Sequence, residues 1–428
     1  MSFDVLLFAD EKASLEGSTI RLYGVSMLER HLRVFASLGA GSVTVVCPSG
    51  DTPEALREHP DRFDARWLAS LSAVVYAKTD DLGNHNFSAP CLLADAHHLY
   101  DPRLVEAVIA AGPNTALADP QIGLSRRLAL LDAGTLKRLV SSEMSASTLW
   151  EQLEEMSPVL LRRLNIQTIN PYIVNLRRTL PPFWLPVRSA ADAHAGEARL
   201  IDAAQKGALD WPAQYVHPPF ENRLVRLISR TAVTPNQVTV LTNVVAFFAT
   251  GLLASGLLIA GFVAAALVGV LDGVDGKLAR VTVRCSRVGG QVEHILDIVY
   301  ELSWYWVLGW VLSQSGDNGT WSLALSGGVT VLYFAGRAAT GLFKLRRKVE
   351  LFDYTALDRA FRQISGRRNI YVPMLLVGAL FSFPLTAFEM VAAWAGVTAL
   401  FHWIRAVWLW RQPPENLHAA AYSGEAAS

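Results

Sequence analysis

Between residues 237 and 411 the chain carries almost all of its long apolar runs, and this concentration limits the folds open to it more than any other feature. A helix that crosses a bilayer needs roughly 20 mostly apolar residues. Six stretches meet that need, near 238–257, 258–278, 288–313, 320–343, 369–387 and 389–410, with only "ASGLLIAG" joining the first two. Arg223, Arg226 and Arg230 precede the first stretch, and Lys277, Arg280, Arg284 and Arg287 lie between the second and third. The strongly basic "KLRRKVELFDYTALDRAFRQISGRRN" follows the fourth, whereas "SQSGDNG" and "FPLTAFE" hold no Lys or Arg. The two kinds of connection alternate. Basic loops stay on the cytoplasmic side, so the pattern predicts an all-α, multi-pass membrane domain over 237–411 with six transmembrane helices and cytoplasmic termini. A large soluble protein with buried helices is the alternative, and both stretch length and charge alternation weigh against it.

Into this apolar half the sequence sets "LDGVDGKLARVTVRCSRVGGQVEHILD", residues 271–297. An acid in lipid is costly and marks function. Asp272 and Asp275 are three residues apart near the end of the second stretch, and Glu293 and Asp297 are four apart at the start of the third. Each pair therefore shares a helix face. Two adjacent antiparallel helices bring the pairs together, and four carboxylates stay ionised together only beside cations. Hard oxygen donors suit Mg²⁺ or Mn²⁺. Two such ions would clamp a phosphoryl group and the oxygens that attack and leave it. Gly276 lets backbone approach a ligand, Gly289 and Gly290 let helices pack closely, and Arg280 pairs with phosphate or with the acids.

The string Asp272-x2-Asp275-Gly276-x2-Ala279-Arg280-x8-Gly289-x3-Glu293-x3-Asp297, eight positions over 26 residues, resembles the signature of the CDP-alcohol phosphotransferases. "TPNQVT" at 234–239 also resembles that family. The resemblance implies six transmembrane helices, a cytoplasmic active site, and transfer of a substituted phosphate from a CDP-linked donor to an alcohol with release of CMP. It implies metal binding by Asp272, Asp275, Glu293 and Asp297, with Asp297 also the general base on the acceptor hydroxyl. It implies CDP binding by Asp272, Asp275, Gly276, Ala279, Arg280 and Asn236. One position departs: the family has Asp where this chain has Glu293, whose extra methylene moves the carboxylate by about one bond length. His294 reads as packed or headgroup-facing, and Glu301 continues the 293/297 face with no catalytic role assigned.

"TGLFKLRRKVELFDYTALDRAFRQISGRRN" is similar to the acceptor-side region of inositol-phosphate-using relatives. That similarity implies that Arg337, Arg359, Arg362, Arg367 and Arg368 bind the phosphate or acceptor, since guanidinium binds phosphate bidentately. Loop arginines also serve the positive-inside rule, so both readings stay open for the last four. A polyol phosphate or a lipid is the expected acceptor, membrane lipids are expected contacts, and a homodimer is compatible with the resemblance.

Residues 1–200 alternate short apolar runs with helical patterns. "DVLLFAD", "SVTVVCP", "AVVYA" and "CLLADA" read as strands, and "SMLERHLRVFASLGA" and "PRLVEAVIAA" as amphipathic helices. The alternation predicts an α/β domain with a mainly parallel sheet. "GVSMLERHLRVFASLGAGSVTVV", "LLADAHHLYDPRLVEAV" and "FWLPVRSAAD" resemble, in that order, segments of the sugar-phosphate nucleotidyltransferases, with Asp95 at the metal aspartate. The phosphate loop is replaced by "ADEKASLEGS", no lysine stands at the expected place before Gly24, and Pro186 occupies the second metal aspartate's position. These losses predict a nucleotidyltransferase-like domain without activity. His97 and His98 are expected to be strand-end residues rather than ligands. Fused to a phosphotransferase, such a domain resembles the bifunctional enzymes that make and use CDP-inositol. A juxtamembrane linker with an amphipathic helix is expected at 201–236, and a flexible tail at 412–428.

Lys and Arg number 38, as do Asp and Glu, so no global basic field points to nucleic acid. Cys47, Cys91 and Cys285 are too far apart for a disulfide framework or a zinc site. "MSFDVLLFADEKASLEG" lacks a basic n-region and a cleavage site, so no signal peptide is expected. Two other classes of function remain. A catalytically impaired membrane scaffold would account for Glu293 and the degenerate first domain. A transporter would account for intramembrane acids, although it lacks a detectable internal repeat.

Overall fold

The structure, a computed structural model, describes residues 2–48, 71, 73–78, 82–83, 87–121, 123–124, 127–140, 145–284, 287–314 and 319–412, with the side chains of 73 and 287–294 left out. Cys285 and the expected tail beyond residue 412 lie outside the described residues.

The first part is an α/β domain. Its main sheet uses β1 (Phe3–Phe8), β2 (Ala40–Cys47), β3 (Ala73–Lys78), β4 (Cys91–Asp95), β5 (Thr115–Ala118), β6 (Leu128–Leu131) and β7 (Arg162–Asn165), in the order β7-β5-β6-β4-β1-β2-β3. The pairings β4-β1, β1-β2, β2-β3 and β7-β5 are parallel, and β6 runs antiparallel to both neighbours. The sheet is thus mainly parallel, as expected. All four predicted strands are present, because near-continuous apolar runs suit strands covered on both faces. Val5, Leu7, Leu92 and Leu130 are among the fully buried side chains of the core.

Helices α1 (Lys12–Thr19), α2 (Met27–Ser37), α3 (Pro102–Ala111), α4 (Ala133–Leu139), α5 (Ala146–Glu155) and α6 (Ala190–Ala203) complete this domain. Ser26 and Asp101 cap the two predicted helices, accepting hydrogen bonds from Glu29 N and Arg103 N. The loop-replacing segment forms α1, a feature the sequence reading lacked.

The second part is helical: α7 (Pro218–Ile228), α8 (Pro235–Ala254), α9 (Leu258–Val281), α10 (Arg287–Ser313), α11 (Gly319–Arg347), α12 (Ala356–Ile364), α13 (Arg368–Leu380) and α14 (Pro384–Trp410). Four segments, Pro235–Ala254, Leu258–Val281, Ile295–Ser313 and Pro384–Trp410, are long and apolar enough to cross a membrane. Val240, Val244, Phe248, Val263 and Leu400 stand exposed on these helices, as a lipid-facing surface requires. The fifth expected stretch is shorter than 369–387. Its helix ends at Leu380, and residues 384–387 begin α14 instead, because Pro384 occupies the first helical position, where its missing N–H costs nothing. At about 1.5 Å per residue, the 13 residues of α13 span roughly 20 Å, short of a hydrocarbon core of about 30 Å.

The two parts touch where it matters for the acids. Arg30 and Arg33 of α2 are buried and reach across to α9. Arg30 donates to Leu22 O of its own domain at 3.1 Å and to Val281 O at 2.7 Å, and Arg33 to Thr282 O at 2.5 Å. The Val281 and Thr282 carbonyls belong to the α9 C-terminus, where helical partners run out and cations are favoured. Burial and each other's charge push the Arg30 guanidinium down to about 10.

Candidate functional site: acids and arginines around one cavity

α8 begins with a capping box inside the "TPNQVT" segment. The Thr234 hydroxyl accepts from Gln237 N, the Gln237 side chain accepts from Thr234 N, and Pro235 opens the helix. One turn on, Thr239 Oγ1 donates to Asp275 Oδ2 at 2.7 Å. Asn236 is exposed beside this cap and does not line the cavity described below.

α9 carries Asp272 and Asp275, and α10 carries Asp297 and Glu301. Arg368, at the start of α13, bridges the helices: its Nη2 lies 3.4 Å from Asp272 Oδ2 and its Nη1 lies 3.6 Å from Asp297 Oδ1. Expected with the acceptor-binding arginines, Arg368 therefore sits on the acids. Asp275 is buried behind its bonds from Thr239 and from Gly276 N at 2.5 Å. Glu301 is buried and accepts from Tyr305 Oη at 2.6 Å. The side chains of Glu293 and His294, and of the 287–294 stretch that holds Gly289 and Gly290, lie outside the described residues.

Supporting residues escaped the sequence reading. Lys277 and Glu221 form a buried pair at 2.8 Å, and Lys277 also donates to Asn222 Oδ1 at 2.8 Å. Asn369 Nδ2 donates to Asp210 at 3.1 Å and 3.2 Å. Gly273 lets α7 press against α9, since a Cβ there would collide with the Glu221 carboxylate. At Gly276 a Cβ would stand 3.2 Å from both terminal nitrogens of Arg280, so the missing side chain lets that guanidinium fold over the helix. Arg280 Nε donates to Ala204 O at 2.8 Å, and Ala279 precedes it on the same turn. No local sequence pattern marks Asp210, Glu221 or Asn369, because their partners are distant in the chain.

Asp272, Asp297, Glu301, Gly276 and Arg280 line a cavity of about 730 Å³ together with Arg337, Arg362, Arg367 and Arg368. Among its described lining residues, nine are Lys or Arg and six are Asp or Glu. Arg337 donates to the Tyr333 hydroxyl and lies over that ring, 5.2 Å from its centroid. Arg359 is off the wall and pairs with Asp353 at 2.8 Å.

The donor set suits a hard divalent cation. Asp272 and Asp297 already face one shared positive group, the Arg368 guanidinium, and carboxylate oxygens are the ligands such ions prefer. Among the described residues, the three side chains whose donor atoms all come within 4.8 Å of one another are instead Asp95, His97 and His98. That buried group is closed by its own contacts. Asp95 Oδ1 accepts from Ser14 Oγ at 2.5 Å and meets His97 Nδ1 at 2.6 Å, while Oδ2 meets Arg127 Nη1 at 2.8 Å. Arg188 Nε donates to His97 Nε2 at 3.1 Å, which leaves Nδ1 as the ring's donor. Burial would raise the Asp95 carboxyl, but the hydrogen bonds from His97 and Ser14 hold it below the usual range. Burial drives His98 down to about 2, so its ring is neutral. Ser14 comes from α1, so the helix that replaces the phosphate loop also plugs the aspartate.

Fold and site define a two-part membrane protein: an α/β domain with a closed carboxylate, and a helical domain whose cavity joins acids to arginines. The helical part is a CDP-alcohol phosphatidyltransferase domain, since that family's model matches residues 232–410. Among curated proteins, the chain is similar to the "Bifunctional IPC transferase and DIPP synthase" of Aquifex aeolicus, 26% identical over 214 residues, which is 49% of this chain and 47% of that protein. It is also similar to the proteins of that description from Thermococcus kodakarensis, 30% identical over 115 residues (27% of this chain, 26% of the relative), and Archaeoglobus fulgidus, 29% identical over 115 residues (27% and 23%). The match spans about half the length of the Aquifex protein and about a quarter of the archaeal ones.

Proposed function

We propose that this protein transfers a substituted phosphate from a CDP-linked donor to the hydroxyl of an alcohol, releasing CMP, and so makes a phospholipid or a polyol phosphodiester. The observation that carries the proposal is the pair Asp272 and Asp297 on facing helices, joined through Arg368 in a cavity rich in basic groups, inside the region that matches the family. The bond that forms joins the acceptor oxygen to phosphorus, and the bond that breaks joins phosphorus to the CMP oxygen. Asp297 takes the acceptor's hydroxyl proton, because an alcohol is a poor nucleophile until deprotonated. Asp272, Asp275, Glu293 and Asp297 would hold two divalent ions, Mg²⁺ or Mn²⁺, which when bound stabilise charge on the attacked phosphate and the leaving CMP. Thr239 holds Asp275 in place, and Arg280 contacts the donor's phosphates. Gly276 and Ala279 leave room for CDP on this face of α9, and Asn236, exposed at the α8 N-terminus, would meet the donor from outside the cavity wall.

Arg337, Arg362 and Arg367 would receive the acceptor, with Arg359 acting through Asp353. The similarity of residues 340–369 to inositol-phosphate-using relatives supports a polyol phosphate as one substrate. We place six helices across the membrane, α11 and α13 completing the set, with the acids and both termini on the cytoplasmic side. The domain boundaries we propose are 1–200, 201–236, 237–411 and 412–428, and a homodimer fits the exposed apolar helix surfaces. The α/β domain does not make the donor; the support is Asp95 consumed by Ser14, His97 and Arg127, and Pro186 in a strand at the second aspartate's place.

The test is substitution of the acids in the full-length protein. Asp272→Asn, Asp275→Asn and Asp297→Asn should each lower CMP release by at least roughly 10²-fold while gel filtration and thermal unfolding stay near wild type. Wild-type turnover by any one of them would refute the assigned roles.

A further inference from the structure

The α/β domain reaches the cavity through a hairpin, Tyr172–Ile173 paired with Arg178–Thr179. Arg177, in its loop, has φ +52°, a conformation that non-glycine residues rarely adopt without a reason. The hairpin is fixed on both sides. Tyr172 Oη donates to Asp353 in the helical domain, and Arg178 donates to Asp202 O at 2.5 Å and Oδ1 at 2.8 Å. Arg177 itself lines the cavity and lies over the Phe352 ring, 4.8 Å from its centroid. Arg362 lies over that ring as well, at 4.2 Å, although it is on α12.

Two guanidiniums on one ring repel each other; burial disfavours the Arg177 charge further, as does Arg367, and the fields of Glu350 and Asp353 offset this only in part. The nearby acids are engaged elsewhere: Asp353 by Arg359 and Tyr172, Glu350 by Lys344 at 2.7 Å. Among the described residues, the Arg177 guanidinium makes no hydrogen bond or ion pair, although its backbone N–H donates to Val174 O at 3.3 Å. Arg362 is 8% exposed, and its Nε is buried without a partner. A buried unpaired donor beside concentrated positive charge is costly unless an anion completes the site.

We propose that Arg177 is a substrate-binding residue lent by the α/β domain to the helical domain: with Arg362 it clamps the phosphate monoester of a soluble acceptor beside Phe352. This rests on the phosphotransferase reading above and adds to it a task for a domain whose own site is closed. The occupant is a soluble phosphate rather than a lipid headgroup, because the hairpin belongs to the domain outside the membrane-spanning helices.

Inorganic phosphate probes the clamp without turnover. In full-length protein purified in detergent, phosphate should raise the thermal unfolding temperature of the wild type. Arg177→Gln should weaken that half-maximal phosphate effect by roughly tenfold or more, and Arg177→Lys should retain part of it. Arg177→Gly relieves the backbone conformation while deleting the charge, so it should lose the phosphate effect although it folds at least as well. In turnover, Arg177→Gln should raise the KM for a phosphorylated polyol and leave kcat and the KM for the CDP-linked donor unchanged. The clamp is refuted if phosphate does not stabilise the wild type, or if it stabilises wild type and Arg177→Gln equally. It is refuted also if phosphatidic acid in nanodiscs, but not phosphate, gives an Arg177-dependent effect. Absence of CMP release with phosphate binding intact would overturn the phosphotransferase reading and leave the clamp standing.

Discussion

At the scale of single residues, the acids were legible because a carboxylate in an apolar run has little else to do. Asp272 and Asp297 meet through Arg368, whereas Asp275, on the same helix as Asp272, is held by Thr239 off the cavity wall, and the Glu293 side chain lies outside the described residues. Arg368 was legible as a basic residue but not as their bridge, because only the packing of α13 brings it between α9 and α10. Asp95 shows the converse. The sequence pointed to a metal aspartate lacking its companions, and the structure shows what replaced them: a hydroxyl, an imidazole and a guanidinium. Arg127 makes that replacement testable. Arg127→Met leaves a buried carboxylate short of a partner and should destabilise the protein by about 3 kcal/mol, since breaking a buried pair costs most through the charge left behind. Combined with Asp95→Asn, the loss should fall short of the sum of the two single losses by about 1 kcal/mol or more. Additive losses in thermal or denaturant unfolding would show that the two side chains are not coupled.

At the scale of elements, the strands and the two amphipathic helices of the first domain followed from apolar runs and period, and so did the helices at 235–281. Three things did not follow. α1 was hidden, since "KASLEGST" has little helical periodicity and is held by Ser14 bonding into the core. The break between α13 and α14 was misplaced because the local signal at Phe383-Pro384 competes with a continuous apolar composition. The use of α2 as a brace was invisible, because its arginines find their acceptors about 250 residues away. Hydrogen bonds from charged groups contribute roughly 1.5–3 kcal/mol each. Replacing Arg30 and Arg33 together with Met should therefore lower stability by about 3 kcal/mol or more and speed proteolysis between the domains. Because α9 carries Asp272 and Asp275, turnover should fall as well, while Lys at both positions should restore part of it. Unchanged protease sensitivity and turnover in the Met pair would remove α2 from any role in holding α9.

At the scale of the molecule, one domain has a closed site and the other an open cavity, and the contacts between them converge on the open one. The curated relatives are described as bifunctional, so the division of labour here is a sharp question. With Asp95 plugged and α1 in place of a phosphate loop, full-length protein given CTP, Mg²⁺ and a set of polyol phosphates should release no pyrophosphate above a protein-free control. Robust, enzyme-dependent pyrophosphate would make this chain bifunctional too. The proposed chemistry itself is tested most directly by CMP release from purified protein in detergent, offered CDP-linked donors and alcohol acceptors and titrated with divalent metal. CMP should appear only with donor, acceptor and Mg²⁺ or Mn²⁺ all present, vanish on chelation, and be absent for Asp297→Asn. CMP release that persists without the acceptor or after chelation, or that survives in Asp297→Asn, would contradict it.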